Sequence, residues 1–141
     1  MNRSVFYGMV FIIAGTLLAL TPQVLLPVCE GSVTTASGGS IPMKCFWTAR
    51  AELGAGALVA LGGVLYCVFR DAGVRLGIVL MTAAATLLAM AFPFVLIGVC
   101  ASETMPCRMG ALPAVVLLAA LVLVAALFAC KGLSREITRK Q

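Results

Sequence analysis

The chain has no histidine, one tryptophan and few charges, with only 11% of its 141 residues being Asp, Glu, Lys or Arg. Without histidine there is no imidazole general base, no Ser-His-Asp or Cys-His site and no His metal ligation. The shortage of charge excludes a soluble globule. Soluble domains are roughly 45–50% apolar, whereas this chain is 62% hydrophobic with a mean hydropathy of +1.14. No ionisable side chain is expected at mid-membrane depth. The deepest polar groups are Thr16, Thr82 and Thr86, with Tyr7 and Tyr66 nearer the span ends. Pumps and proton-coupled carriers place ionisable groups at that depth, so a self-sufficient transporter of that kind is disfavoured. A Cys-x-x-Cys motif is also missing, and with it the usual signature of a reactive thiol pair.

What the chain does have is length in apolar runs. A helical span needs roughly 20 mostly apolar residues, and four stretches qualify: about 5–26, 53–69, 74–99 and 112–130. The first run exceeds the roughly 7–15 residues of a signal-peptide core and has no small-x-small cleavage site after it, so it is expected to be retained. The fold class expected is all-α: a polytopic four-transmembrane-helix bundle, up-down-up-down, occupying residues 1–141 as one domain. Its outer loops would be 27–52 and 100–111. Gly54, Gly56, Ala60 and Gly63 lighten the second helix, and Gly73-x-x-x-Gly77 opens the third; small residues let helix backbones approach in lipid. Pro93 should bend the third helix, whereas Pro113 sits near a helix start, where its missing N–H costs little. Thr34-Thr35-Ala36-Ser37-Gly38-Gly39-Ser40 reads as a flexible loop tip.

Basic residues set the expected orientation. Arg3, Arg70, Arg75, Lys131, Arg135, Arg139 and Lys140 fall on one side, and Lys44, Arg50 and Arg108 on the other, seven against three. Asp71 and Glu136 reduce the first side to +5, and Glu30, Glu52 and Glu103 reduce the second to zero. A plasma-membrane, multi-pass protein with cytoplasmic N and C termini follows. The pI near 9.1 is then a product of topology. Nucleic acid is not an expected partner, because the basic residues do not gather on one stripe. The tail 131–141 reads as a stop-transfer flank, near anionic lipid.

The six cysteines fall into a repeated pattern. Val28-Cys29 closes one apolar run and Met43-Lys44-Cys45 approaches the next; Val99-Cys100 closes a third and Met105-Pro106-Cys107 approaches the fourth. Cys67 and Cys130 lie near the far ends of the second and fourth runs, so the chain reads as one helical hairpin used twice. Three chemistries fit the outer thiols. The structural one makes Cys29, Cys45, Cys100 and Cys107 disulfide partners, since thiols in an oxidising compartment pair; the repeat favours Cys29–Cys45 and Cys100–Cys107, and cross-hairpin pairing remains open. The second is a membrane thiol-disulfide oxidoreductase, because four-helix membrane oxidoreductases share this loop layout. The third is a Cu(I) site built from Met43, Cys45, Met105, Cys107 and Met109, soft ligands that select that ion. Cys67 and Cys130 are read as small hydrophobes in helix interfaces.

The densest motif is Met43-Lys44-Cys45-Phe46-Trp47-Thr48-Ala49-Arg50-Ala51-Glu52. Trp47 suits the headgroup level, and Phe46, Trp47, Arg50 and Glu52 form a candidate partner-binding patch; Arg50 and Glu52 also make a candidate interfacial ion pair. Together with Pro27-Val28-Cys29 and Met105-Pro106-Cys107-Arg108, this motif resembles a bacterial and archaeal family of small four-helix membrane proteins known as a domain of unknown function. The resemblance spans nearly the whole chain. It implies an accessory role beside ABC transporters with FtsX-like or MacB-like permeases; it carries over no catalytic residues, and no cofactor is expected. Where many relatives carry His after the first Met-x-Cys, this chain has Phe46. The expected function is therefore a non-enzymatic accessory or interaction subunit of a membrane transport complex, with lipid and an ABC-transporter permease as partners.

Overall fold

A computed structural model describes residues 3–25, 32–34, 38–42, 44–98 and 107–140. It contains four long helices: α1 (Arg3–Leu20), α2 (Lys44–Val68), α3 (Ala72–Ala91) and α4 (Leu112–Lys140). Each, with its adjoining turn, is long and apolar enough to cross a membrane. The chain is a multi-pass membrane protein of the all-α class.

The helices close a ring in which α1 packs on α2 and α4, and α3 packs on α2 and α4. Their inward faces follow a helical period. On α4 the buried positions are Val115, Ala119, Val122, Ala126, Ala129 and Leu133, continuing from Ala111 in the turn before it, three or four residues apart, as one face of a helix requires. Phe11, Val59, Tyr66, Val79 and Val122 form the larger interior cluster, and Leu18, Ala55, Ala89 and Ala119 a smaller one. Large apolar side chains such as Leu58, Met81, Leu117 and Leu127 point outward, where lipid replaces water as solvent.

The tightest interface is α1 against α2. A Cβ added at Gly15 would lie 2.5 Å from the Ala60 nitrogen, and one at Gly56 would lie 2.5 Å from the Ala19 nitrogen. At Gly63 the nearest atom would be the Ile12 nitrogen, at 2.7 Å. Rising numbers on α1 meet falling numbers on α2, so the pair is antiparallel and its backbones nearly touch. Among the described residues no glycine of α3 or α4 makes such an approach. Gly77 and Gly132 face open space, and Gly73 meets only the Asp71 carboxylate. The expected packing role of Gly54 and of Gly73-x-x-x-Gly77 is thus corrected: Gly54 and Gly77 point away from every neighbour, while Gly56 and Gly63 form the seam with Gly8 and Gly15.

Three helix ends are finished by widened π-helical turns, at Thr21–Leu25, Phe92–Leu96 and Cys107–Ala111. The first two turns each carry a proline at their second residue, Pro22 and Pro93. Proline cannot donate to the preceding turn, and at each of these prolines the α-helical pitch gives way to the wider one. After Pro93, the Ile97 and Gly98 amides both donate to the Phe92 carbonyl, at 3.0 and 3.1 Å. At the opposite end, the Asp71 side chain caps α3 by accepting from the Gly73 and Val74 amides.

Two helices are longer than their apolar runs indicate. The second span, expected at 53–69, belongs to a helix that starts at Lys44, so residues 44–52 of the expected loop 27–52 are helical. The fourth, expected at 112–130, continues to Lys140, because Leu133 and Ile137 extend the inward stripe. The expected flexible tip is flanked by two short antiparallel strands, β1 (Ser32–Thr34) and β2 (Ser40–Pro42), with Val33 opposite Ile41.

Candidate functional site

The first two turns of α2 hold a concentration of polar side chains in an otherwise apolar bundle. A helix of 25 residues is about 37 Å long at 1.5 Å per residue, against roughly 30 Å of hydrocarbon. Its first turns therefore rise to the headgroup level. Two faces result.

The inner face carries Cys45, Thr48, Ala49 and Glu52, at spacings of three, one and three, all buried. The Thr48 hydroxyl donates to the Gly98 carbonyl oxygen at 2.9 Å, with its own-helix Lys44 carbonyl farther off at 3.3 Å. The Gln23 amide donates to the Ala49 carbonyl at 2.9 Å. The turn after α1, the start of α2 and the turn after α3 are thereby joined at one end of the bundle. Glu52 sits one turn deeper, and only 1% of its surface is exposed. Among the described residues neither of its carboxylate oxygens has a hydrogen-bond partner. Removing an unpaired ionised carboxylate from water costs several kcal/mol. The group is therefore an acceptor waiting for a proton, a cation or a donor.

The outer face carries Phe46, Trp47 and Arg50. The Phe46 and Trp47 rings meet edge to face, centroids 5.7 Å apart. The Arg50 guanidinium lies 5.2 Å above the Phe46 ring, a cation–π geometry. Trp47 is 56% exposed. Three of the four residues expected to contact a partner are thus grouped at the helix surface. Glu52 is not among them: starting α2 at Lys44 turns it inward. Its expected pairing with Arg50 fails for the same reason, since residues two apart on a helix do not face each other.

Of the expected disulfide partners and Cu(I) ligands, Cys29, Met43, Cys100 and Met105 lie outside the described residues, as does the side chain of Cys107. Cys45 is 1% exposed, at the top of the Glu52 face. Met109 is 71% exposed. No disulfide joins two described residues. Cys67 packs its sulfur against Gly8, and Cys130 packs against the larger interior cluster, both as interface hydrophobes.

Sequence reading missed the burial of Thr48 and Glu52. The signal was present, because 45, 48, 49 and 52 form one helical face, but it required counting a threonine and a glutamate as inward positions. The Gln23 and Gly98 contacts had no local signal.

Residues 11–131 match the family described as a domain of unknown function (DUF4418), and the chain belongs to that family. No curated protein matches it, and no solved structure matches it.

Proposed function

We propose that the chain is a non-enzymatic accessory or interaction subunit of a membrane transport complex, engaging a partner protein through Phe46, Trp47 and Arg50. The observation that supports this reading is the aromatic–cation group at the start of α2, with Trp47 more than half exposed. Trp and Arg on a fixed element are the residue types that dominate binding energy at interfaces. An ABC-transporter permease is the partner class implied by the resemblance of the loop motif. The proposal places the chain in the plasma membrane with both termini cytoplasmic, on the seven-to-three division of basic residues. It also keeps Cys29–Cys45 and Cys100–Cys107 as outer staples.

A photo-crosslinking residue at position 47 tests the reading in native membranes. A discrete protein adduct at position 47, absent when the same residue is placed at lipid-facing position 124, is expected. Lipid adducts alone would reduce Trp47 to a headgroup anchor and end the proposal.

The thiol oxidoreductase is the second reading. The depth of Cys45 weighs against it, since an exchanging thiol must be reached by its partner thiol. Reoxidation of the reduced protein by quinone in membranes would reverse that judgement. The Cu(I) reading predicts calorimetric binding of Cu(I) to the reduced protein, and lack of binding would end it.

A further inference from the structure

At the end of the bundle where α1 begins, α2 meets α3 and α4 finishes, a cavity of about 550 Å³ opens between the helices. Its rim is basic. Arg75, Lys131 and Arg135 line it with one carboxylate, Glu136; three cations less one anion leave +2. The Tyr7 and Tyr66 side chains form its polar wall.

These groups are held in place. Tyr66 is 2% exposed, wedged edge to face against Phe11. The Arg75 guanidinium lies 5.2 Å over the Tyr66 ring, and its Nε donates to the Phe69 carbonyl at 2.6 Å. That fixes the side chain, and among the described residues no other hydrogen bond of its guanidinium is seen. Lys131 and Arg135 are four residues apart on α4, hence on one face. The α4 extension that carries them is pinned by Leu133, which is buried, and by Ile137 beside it. The exposed ring of Phe128 forms part of the lining, so apolar surface adjoins the cations.

We propose that this cavity binds a phosphate group, presented by an anionic phospholipid of the adjacent leaflet. Guanidinium and ammonium donors with a neighbouring phenol suit the oxygens of a phosphodiester. A basic pocket between helices at the membrane edge is where a headgroup can enter while its acyl chains stay in lipid. Phe128 supplies the surface along which a chain would lie. Free phosphate shares the headgroup chemistry but has no use for that apolar wall.

The full-length protein in phosphatidylcholine nanodiscs containing a minor fraction of phosphatidylglycerol tests this by native mass spectrometry. Retained phosphatidylglycerol should exceed its bulk fraction by one molecule per chain. Lys131→Gln and Arg135→Gln should each lower that enrichment roughly tenfold, the value of one charge-assisted hydrogen bond. Both residues are exposed, so the fold should tolerate the change; Tyr66→Phe, which removes only a hydroxyl, should lower enrichment less. Arg139→Gln, outside the cavity, should leave it unchanged. Millimolar inorganic phosphate should not displace the lipid. Displacement by phosphate would assign the site to free phosphate and overturn the lipid source. No enrichment over phosphatidylcholine, or an equal loss in Arg139→Gln, would overturn the site itself.

Discussion

The Thr48 hydroxyl donates to the Gly98 carbonyl oxygen 2.9 Å away, 50 residues along the chain. The bond ties the start of α2 to the end of the turn that follows α3, so one side chain locks the second helix to the third at the headgroup level. Gly98 has a φ of +84°, a left-handed conformation that glycine adopts without a Cβ penalty. Thr48→Val keeps the shape and removes the donor. It should cost about 1 kcal/mol in reversible unfolding by SDS, and Thr48→Ser should restore most of it. Gly98→Ala should cost about 1–2 kcal/mol from backbone conformation alone. An unchanged midpoint for Thr48→Val would remove the bond from the account of how this end is closed.

The α1–α2 seam separates its glycines sharply. A Cβ added at Gly56 would lie 2.5 Å from the Ala19 nitrogen, while one added at Gly54, two residues away, would meet nothing within 4 Å. Gly56→Ala should therefore destabilise by about 1–3 kcal/mol, the usual cost of overpacking. Gly54→Ala should be neutral or slightly stabilising, since alanine is the better helix former by roughly 1 kcal/mol. Equal effects at both positions in the same SDS titration would mean that the helices do not approach as closely as described.

The contrast between Gly54 and Gly56 shows which features were legible in the sequence. Apolar length alone gave four helices and their class, because composition decides what lipid accepts. It did not give helix phase. Gly54 and Gly56 look alike in a list of small residues, and only the partner helix says which one touches it. Helix ends were misplaced where polar residues serve the interior. Thr48 and Glu52 interrupt an apolar run and so shortened the second span, although their spacing from Cys45 is helical. Leu133 and Ile137 lie beyond Lys131 and were absorbed into a charged tail. The aromatic–cation patch was legible because three of its members sit within five residues. The bond to Gly98 was not, because nothing local indicates a partner 50 positions distant.

Glu52 provides a test of its own. A carboxylate buried without a partner among the described residues should make the protein less stable than an apolar side chain of similar size would. Glu52→Met should raise the unfolding midpoint, by about 1 kcal/mol or more. Glu52→Ala should gain less or lose, because removing the side chain also leaves a cavity. If Glu52→Met destabilises by 3 kcal/mol or more, the cost of stranding one member of a buried pair, the carboxylate has a cationic or donor partner supplied from elsewhere. Repeating the titration in native membrane extract would then show whether that partner belongs to another protein.

Cys45 lies two turns above Glu52 on the same buried face, and its depth makes the thiol chemistry testable. Alkylation follows access and thiolate content. After full reduction of the folded protein in its membrane, Cys45 should react much more slowly than Cys67 and Cys130, which are only partly buried; in SDS all three should react alike. Mapping the alkylated peptides with and without prior reductant also reads the outer cysteines. If Cys29, Cys45, Cys100 and Cys107 become reactive only after strong reductant, they are staples, because structural disulfides resist mild thiols. If Cys45 reacts rapidly in the folded protein, the start of α2 opens on the time scale of the reagent. An opening helix start would bring Cys45 and Glu52 to the surface together, and thiol exchange would then displace the accessory role as the better account of the chain.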